Sequence, residues 1–342
     1  MLPIAKARAH MRELDASRRA RRLWRIAIVT GLALGVHMST AAAQLPNLAD
    51  VSAQYDAPPV HLNDAQATDT QVMSYRLAIN VPVALSPRRF LILGAGYQVD
   101  RLDYSQMPGT SGQTTFHVPS LSATFIQRMS DRYTLVTRAG VGLAGDFAAV
   151  DRGMIGYSTL ALVTRSWSRE LMVGGGAVMT GGFGKSLIPI PAISLRWLPT
   201  DNVRVDAFLP AFAEAKYTAW DRVEIGARLV VVGSAYAVRD ARVAGRWPCA
   251  AQATDDPRTP DNETIARPGS CLDHVTNTLG SIGLVTGVRL TSTLWLTAFG
   301  GVTLYRHLAD ENASGDTLSG GTKWLPASAV FRSNLMWRIP QS

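Results

Sequence analysis

Histidine, the commonest general base, is scarce beyond the first 43 residues: His61, His117, His274 and His307 are spread along the chain. A catalytic histidine needs an orienting partner and a nucleophile within reach. The closest cluster is His307 with Asp310 and Glu311, in a polar stretch that reads as a solvated loop. No Gly-x-Ser-x-Gly, His-Glu-x-x-His, Cys-x-x-Cys or phosphate-cradling glycine motif occurs. Asp255, Asp256, Asp261 and Glu263 could hold a divalent or lipopolysaccharide-bridging cation, but they lack the fixed ligand order of a calcium loop. The expectation is a protein that is not an enzyme, with no catalytic residue, metal site or cofactor.

A second set of chemistry-bearing side chains is defined by parity. From Val72 to Leu85, Tyr75, Leu77, Ile79, Val81 and Val83 alternate with Ser74, Arg76, Ala78 and Asn80. Successive strand residues point to opposite faces, so the ribbon has one apolar and one polar surface. Extending this parity places Arg76, Arg128, Arg138, Arg196, Arg204, Lys216, Arg228, Arg289, Arg332 and Arg338 on the polar side, with Asp206, Glu214 and Glu224. If that side lines an open lumen, the basic excess favours small anions. If the lumen is filled, the same charges pair and stiffen it; Arg204, Asp206, Glu224 and Arg228 invite that pairing.

The elements that would position these charges are short and regular. Six polar trios separate the alternating runs: Ser86-Pro87-Arg88, Ser130-Asp131-Arg132, Ser168-Arg169-Glu170, Thr200-Asp201-Asn202, Trp220-Asp221-Arg222 and Thr291-Ser292-Thr293. Each precedes a strand opener, respectively Phe90, Tyr133, Leu171, Val203, Val223 and Leu294, as a tight hairpin turn would. Between them lie longer polar connections: 100–115, 144–153, 238–275 and 307–322. Short turns at one end and long loops at the other are the outer-membrane barrel pattern. The runs, among them Tyr133 to Leu143 and Leu294 to Leu304, match the roughly 9–11 residues a tilted strand needs to cross lipid.

With an opening strand near Val51 to Tyr55 and a closing one near Ser328 to Ile339, the expected fold is all-β, a single antiparallel transmembrane β-barrel of about fourteen strands. Twelve is the count if the Val203 to Ala219 hairpin is read otherwise. Pro82, Pro189 and Pro191, which lack a ladder donor, are expected at strand ends or bulges. Gly94-Ala95-Gly96 suits a wall approached closely by other side chains. Phe90, Tyr97, Tyr133, Tyr157, Trp197, Tyr217, Trp295, Tyr305, Trp324 and Trp337 fall near strand ends, where lipid interfaces gather aromatics. A soluble sandwich could carry the same alternation with its apolar face inside. The aromatic girdle and the polar opposite face favour the membrane.

Residues 1–43 read as a signal peptide: eight basic residues, an apolar run from Ile26 to Met38, and Ala41-Ala42-Ala43. That run is too short to span a bilayer, which takes about 20 residues. The leader carries eight basic and two acidic groups, +6 of the formal +8, so residues 44–342 carry 8 − 6 = +2. The basic character that might suggest nucleic acid leaves with the leader, and no nucleic-acid partner is expected. Cys249 and Cys271 lie in the 238–275 loop. An even count in an oxidising compartment points to a disulfide, worth about 3 kcal/mol by loop closure; two free thiols or a metal pair are the alternatives.

The middle of the chain resembles an uncharacterised bacterial family of predicted outer-membrane β-barrel proteins. Tyr157-Ser158-Thr159-Leu160-Ala161, Phe208-Leu209-Pro210-Ala211-Phe212, Tyr217, and Asp221 to Arg228 with Tyr236 carry the resemblance. It implies fold and location and transfers no functional residue. The expectation is an outer-membrane protein of a Gram-negative bacterium, in contact with membrane lipid and lipopolysaccharide. Its expected function is a passive small-solute pore with mild anion preference; the alternative is a closed structural or surface-interaction barrel.

Overall fold

Every one of the six trios lies at or beside a turn between two antiparallel strands. The computed structural model describes residues 48–56, 71–103, 113–182, 185–240, 272–312, 317–325 and 327–338. In chain order the strands are β1 (Ala49–Asp56), β2 (Gln71–Ser86), β3 (Arg89–Asp103), β4 (Gln113–Arg128), β5 (Tyr133–Leu143), β6 (Ile155–Ser166) and β7 (Leu171–Gly182). Then follow β8 (Lys185–Thr200), β9 (Val203–Leu209), β10 (Phe212–Ala219), β11 (Val223–Ala237), β12 (His274–Arg289), β13 (Leu294–Glu311), β14 (Thr317–Leu325) and β15 (Ala329–Trp337). Each pairs with its sequence neighbour up to β13, and β15 joins β13 to β1, so the sheet closes on itself. Leu294–Val302 of β13 pairs with β15, and Arg306–Glu311 pairs with β14. These two short strands share one place in the wall, and the barrel has 15 − 1 = 14 positions. Closure through β15 leaves the wall itself without an edge, the condition for a sheet to lie in lipid, while β14 pairs with β13 alone among the described residues.

Side-chain direction follows the alternation. Tyr75, Leu77, Ile79, Val81 and Val83 of β2 are exposed, Tyr75 by 55%. Leu93, Leu121, Val141, Ile193, Ile225, Leu284, Val302 and Phe331 continue the apolar exterior around the wall. A water-soluble monomer does not carry such a belt; a transmembrane barrel requires it. Tyr97, Tyr133, Tyr157, Trp197, Tyr217 and Trp337 are exposed on the same surface, joined by Trp167 and Trp220.

Four expectations are corrected. Trp295 is only 8% exposed: it faces the interior, where the Arg338 guanidinium lies 4.3 Å from its ring centroid. Pro82 sits inside β2 opposite Ile92, and Pro189 and Pro191 sit inside β8 opposite Met179 and Ala177. The loops are shorter than the polar stretches suggested. β3 continues to Asp103, β12 begins at His274 and β13 runs to Glu311, because strand rungs beyond the lipid can pair without an apolar face. His307, Asp310 and Glu311 therefore belong to a strand rather than a loop.

The fourth correction concerns the interior, which is not polar throughout. Val136, Leu160, Leu162, Val178, Ala192, Phe208 and Ala211, from β5 to the β9–β10 turn, form a buried cluster inside the wall. Burying each of its valine, leucine and phenylalanine side chains contributes about 1.5–3 kcal/mol. In β6 the apolar residues Leu160 and Leu162 face inward while Tyr157 and Val163 face out. That strand is apolar on both faces. The leader at 1–43, the cysteines Cys249 and Cys271, and Asp255, Asp256, Asp261 and Glu263 lie outside the described residues.

Candidate functional site

The remaining interior is a cavity of about 280 Å³. The narrow hairpins β9–β10 and β10–β11 bring charges from adjacent strands into register, Glu214 opposite both Asp206 and Arg228 and Lys216 opposite Arg204. Arg204 pairs with Asp206. Glu214 takes Lys216 at 2.6 Å and the Arg228 guanidinium. Glu224 takes Lys216 at 3.3 Å and Arg338 at 2.9 Å. Four cations and three carboxylates are thereby paired along this side of the wall, Arg204 with Asp206 and Lys216 with Glu214 each within one strand.

The opposite wall is built differently. Arg76 on β2 and Arg138 on β5 line the cavity with Asn80, Gly94, Gly96, Ser120 and Ser122 between them. Arg138 donates to Ser122 Oγ at 3.3 Å. Arg332 on β15 donates through Nε to Gln54 Oε1 at 2.9 Å. Of the remaining sequence candidates, Arg128 is exposed at the end of β4 and does not line the cavity. Arg196 stands beside Arg204 and Asp206, and Arg289 is half-buried at the end of β12, both off the cavity wall.

Parity missed two carboxylates. Asp50 opens β1, too near its end for a pattern to register, and Asp100 ends the alternation of β3; both line the cavity. Among the described residues, seven cationic and five acidic side chains face it, a smaller excess than the ten to three counted along the sequence.

The long-loop end is closed by the chain itself. Tyr236 near the end of β11 donates from its hydroxyl to Asp100 Oδ2 at 2.7 Å and stacks on Phe116 of β4, ring centroids 4.5 Å apart. By the shorter way round the wall, β3 lies six strands from β11. Contact between opposite walls means that the β11–β12 arm bends across the lumen. Its residues Ala235, Tyr236, Val238, Leu272 and Val275 pack with Val72, Leu102, Phe116 and Ala144 from the far side. Ala237 also forms a parallel bridge with Gly145 in the β5–β6 loop.

Arg239 fastens the arm. Its guanidinium grips both oxygens of Asp151, at 2.6 and 3.1 Å, and donates to Asp273 Oδ1 at 2.9 Å. Asp146 Oδ2 accepts from the backbone amides of Arg239 and Asp240 at 2.8 and 2.7 Å. The hydrogen bond from Arg239 holds the Asp151 carboxyl below its ordinary value. Burial pushes Asp273 up, but His274 and Arg239 outweigh it and the net direction is down. For Arg239, burial is likewise overcome by its two carboxylates, and its value is raised. No sequence signal marked this clasp, since its members lie in segments without alternation.

His307 and Glu311 of β13 stand close enough for their charges to interact. Glu311 accepts from Thr276 at 3.1 Å, and His307 lies opposite Thr278 in the ladder. Among the described residues no three His, Cys, Asp or Glu side chains are grouped to hold a metal.

The sequence model of a family described as Domain of unknown function (DUF6268) matches residues 40–247. No curated protein matches the sequence. Similar solved structures include an outer membrane channel from Pseudomonas putida F1, 10% identical with TM-score 0.40, covering 87% of this chain and 98% of that one. Another is the translocator domain of the autotransporter NalP from Neisseria meningitidis, 10% identical with TM-score 0.34, covering 96% and 98%. A third is the P. putida toluene transporter TodX, 8% identical with TM-score 0.36, covering 87% and 92%.

Proposed function

Because the chain belongs to the family described as Domain of unknown function (DUF6268), which carries no activity to transfer, we propose a function from the geometry: an outer-membrane channel for small solutes, non-enzymatic and mildly anion-preferring. One observation carries the reading: a charged cavity enclosed by the barrel wall is covered at one end by an arm held through hydrogen bonds and ion pairs. Such contacts break and re-form without covalent change, so the arm is a cap that can lift. The leader at 1–43 supplies export, and the apolar exterior sits among lipid and lipopolysaccharide.

Single-channel recording of the purified protein in planar bilayers tests this. The expected trace is rare, small openings with a reversal potential on the anion side, becoming frequent when Arg239→Ala releases the arm. Silence from both proteins, or cation selectivity, removes the proposal.

The folded-in arm also favours a second reading, a closed barrel whose working part is the loop continuing from the arm. Deleting residues 241–271 should then abolish binding to surface partners while heat-modifiable migration persists. Unchanged binding would end that reading.

A further inference from the structure

Arg165 stands on the lipid side of the wall. In β6 the inward side chains Leu160, Leu162 and Thr164 are buried, while Tyr157 and Val163 are exposed on the exterior. Arg165 shares the outward parity of Val163, two residues nearer the β6–β7 turn, and pairs in register with Tyr133 of β5 and Val173 of β7. Its guanidinium carbon lies 4.0 Å from the Trp167 ring centroid and 5.6 Å from that of Tyr133, both exposed aromatics. Two rings hold the cation in place, but they offer no oxygen to its five N–H donors. Among the described residues no carboxylate pairs with Arg165, and its Nε has no hydrogen-bond partner.

Its surroundings add charge of the same sign. Ser166 donates its backbone amide to the Arg132 carbonyl at 2.8 Å, which sets the exposed Arg132 beside the end of β6. Arg128 ends β4 next to that turn, and Arg169 lies in the β6–β7 turn. Glu170 stands near enough to Arg169 for their charges to interact, and Asp131 is the other acid of the two turns. Four arginines against two carboxylates leave the patch cationic.

Short turns face the periplasm in an outer-membrane barrel, so the patch lies level with the phospholipid headgroups of that leaflet. The two free oxygens of a phosphodiester fit the fork of a guanidinium. The cationic excess favours an anionic headgroup over a zwitterionic one, and the indole and phenol rings lie where acyl chain meets headgroup.

We propose that Arg165, held between Tyr133 and Trp167 and flanked by Arg132, binds the phosphodiester of one anionic phospholipid of the periplasmic leaflet. The site is built on the outer face alone and is independent of whether the lumen conducts.

Full-length protein in a neutral detergent tests this. It is titrated with a short-chain phosphatidylglycerol, the matching phosphatidylcholine, lipopolysaccharide and inorganic phosphate at matched ionic strength. The readouts are the melting temperature and the lipid retained in native mass spectrometry. Saturable stabilisation by phosphatidylglycerol above the other three is expected. It should weaken about tenfold in Arg165→Gln and fall in Trp167→Leu. Arg165→Lys keeps the charge and loses the fork, so an intermediate loss is expected even if the neutral variant fails to fold. Arg101→Gln, at an exposed arginine near the loop end of β3, should bind as the parent does. Equal stabilisation by phosphatidylcholine or inorganic phosphate, a preference for lipopolysaccharide, or unchanged binding in Arg165→Gln and Arg165→Lys overturns the site. Phosphatidylglycerol binding by a protein without channel events would retain the site and remove the channel reading.

Discussion

Arg239 concentrates more of the arm's attachment than any other side chain, because one guanidinium satisfies Asp151 and Asp273 together. Arg239→Ala leaves two carboxylates facing each other and should weaken docking by about 1–3 kcal/mol. The expected readout is a raised open probability at unchanged single-channel conductance. Both carboxyls titrate below their ordinary value when the arm is docked. Their contribution is therefore complete above the undocked value, near pH 4, and is lost as pH falls through the docked values. Acidification below about pH 4 should raise the open probability of the parent and change little in Arg239→Ala. A parent channel that closes further in acid would contradict this assignment.

At the scale of elements, the turn joining β10 to β11 is where sequence and backbone disagree. Trp220 and Asp221 have φ of +51° and +56°, and Arg222 donates its backbone amide to Ala219 at 3.2 Å, the geometry of a two-residue hairpin turn that favours Asn-Gly. A tryptophan held at positive φ is strained. It is also 86% exposed at the end of the barrel, where an indole gains from the lipid interface. Trp220→Asn with Asp221→Gly should relieve roughly 1–2 kcal/mol of local strain. In detergent, away from that interface, the expected result is a higher denaturation midpoint; an unchanged or lower midpoint counts against the account.

The arm is the other decisive element. A Cβ on Gly145 would collide with Met154 Cε and stand 2.8 Å from the backbone oxygen of Ala237, so the arm can dock here only against glycine. Gly145→Ala should push the arm off and make openings more frequent. Openings no more frequent than the parent's would show that solutes pass without lifting the arm.

For the whole molecule, the proposed anion preference rests on a narrow difference, seven cationic side chains against five acidic ones around the cavity. Removing one acid on the Arg76 side should matter more than removing one from the β9–β11 side, where four cations already stand against three carboxylates. Asp50→Asn is expected to move the reversal potential further to the anion side, and Arg76→Gln with Arg138→Gln to move it toward cations. Equal shifts from Asp50→Asn and Asp206→Asn would mean that only total charge counts and that the two walls are equivalent.

Taken alone, the chain determined the wall. Alternation records a difference between two environments, and wherever lipid faced one side of a strand and polar lumen the other, as in β2, side-chain direction was legible. The hairpin trios located the ends because a tight turn has its own chemistry, and together these implied a closed barrel of about fourteen strands. Where both faces share an environment the signal disappears. Leu160 and Leu162 of β6 are as apolar as the outward residues beside them, and Trp295 looks like an interfacial aromatic whichever way it points. Most of the first half of β12 is buried on both faces, so nothing in its period announced that the arm turns inward. Tertiary structure decided what fills the barrel: the arm across its mouth, the apolar cluster against one wall, and the ion pairs that draw Arg338 to Glu224. Those are contacts between side chains of different strands inside a closed sheet, and periodicity along a single strand carries no information about which of them meet in the lumen.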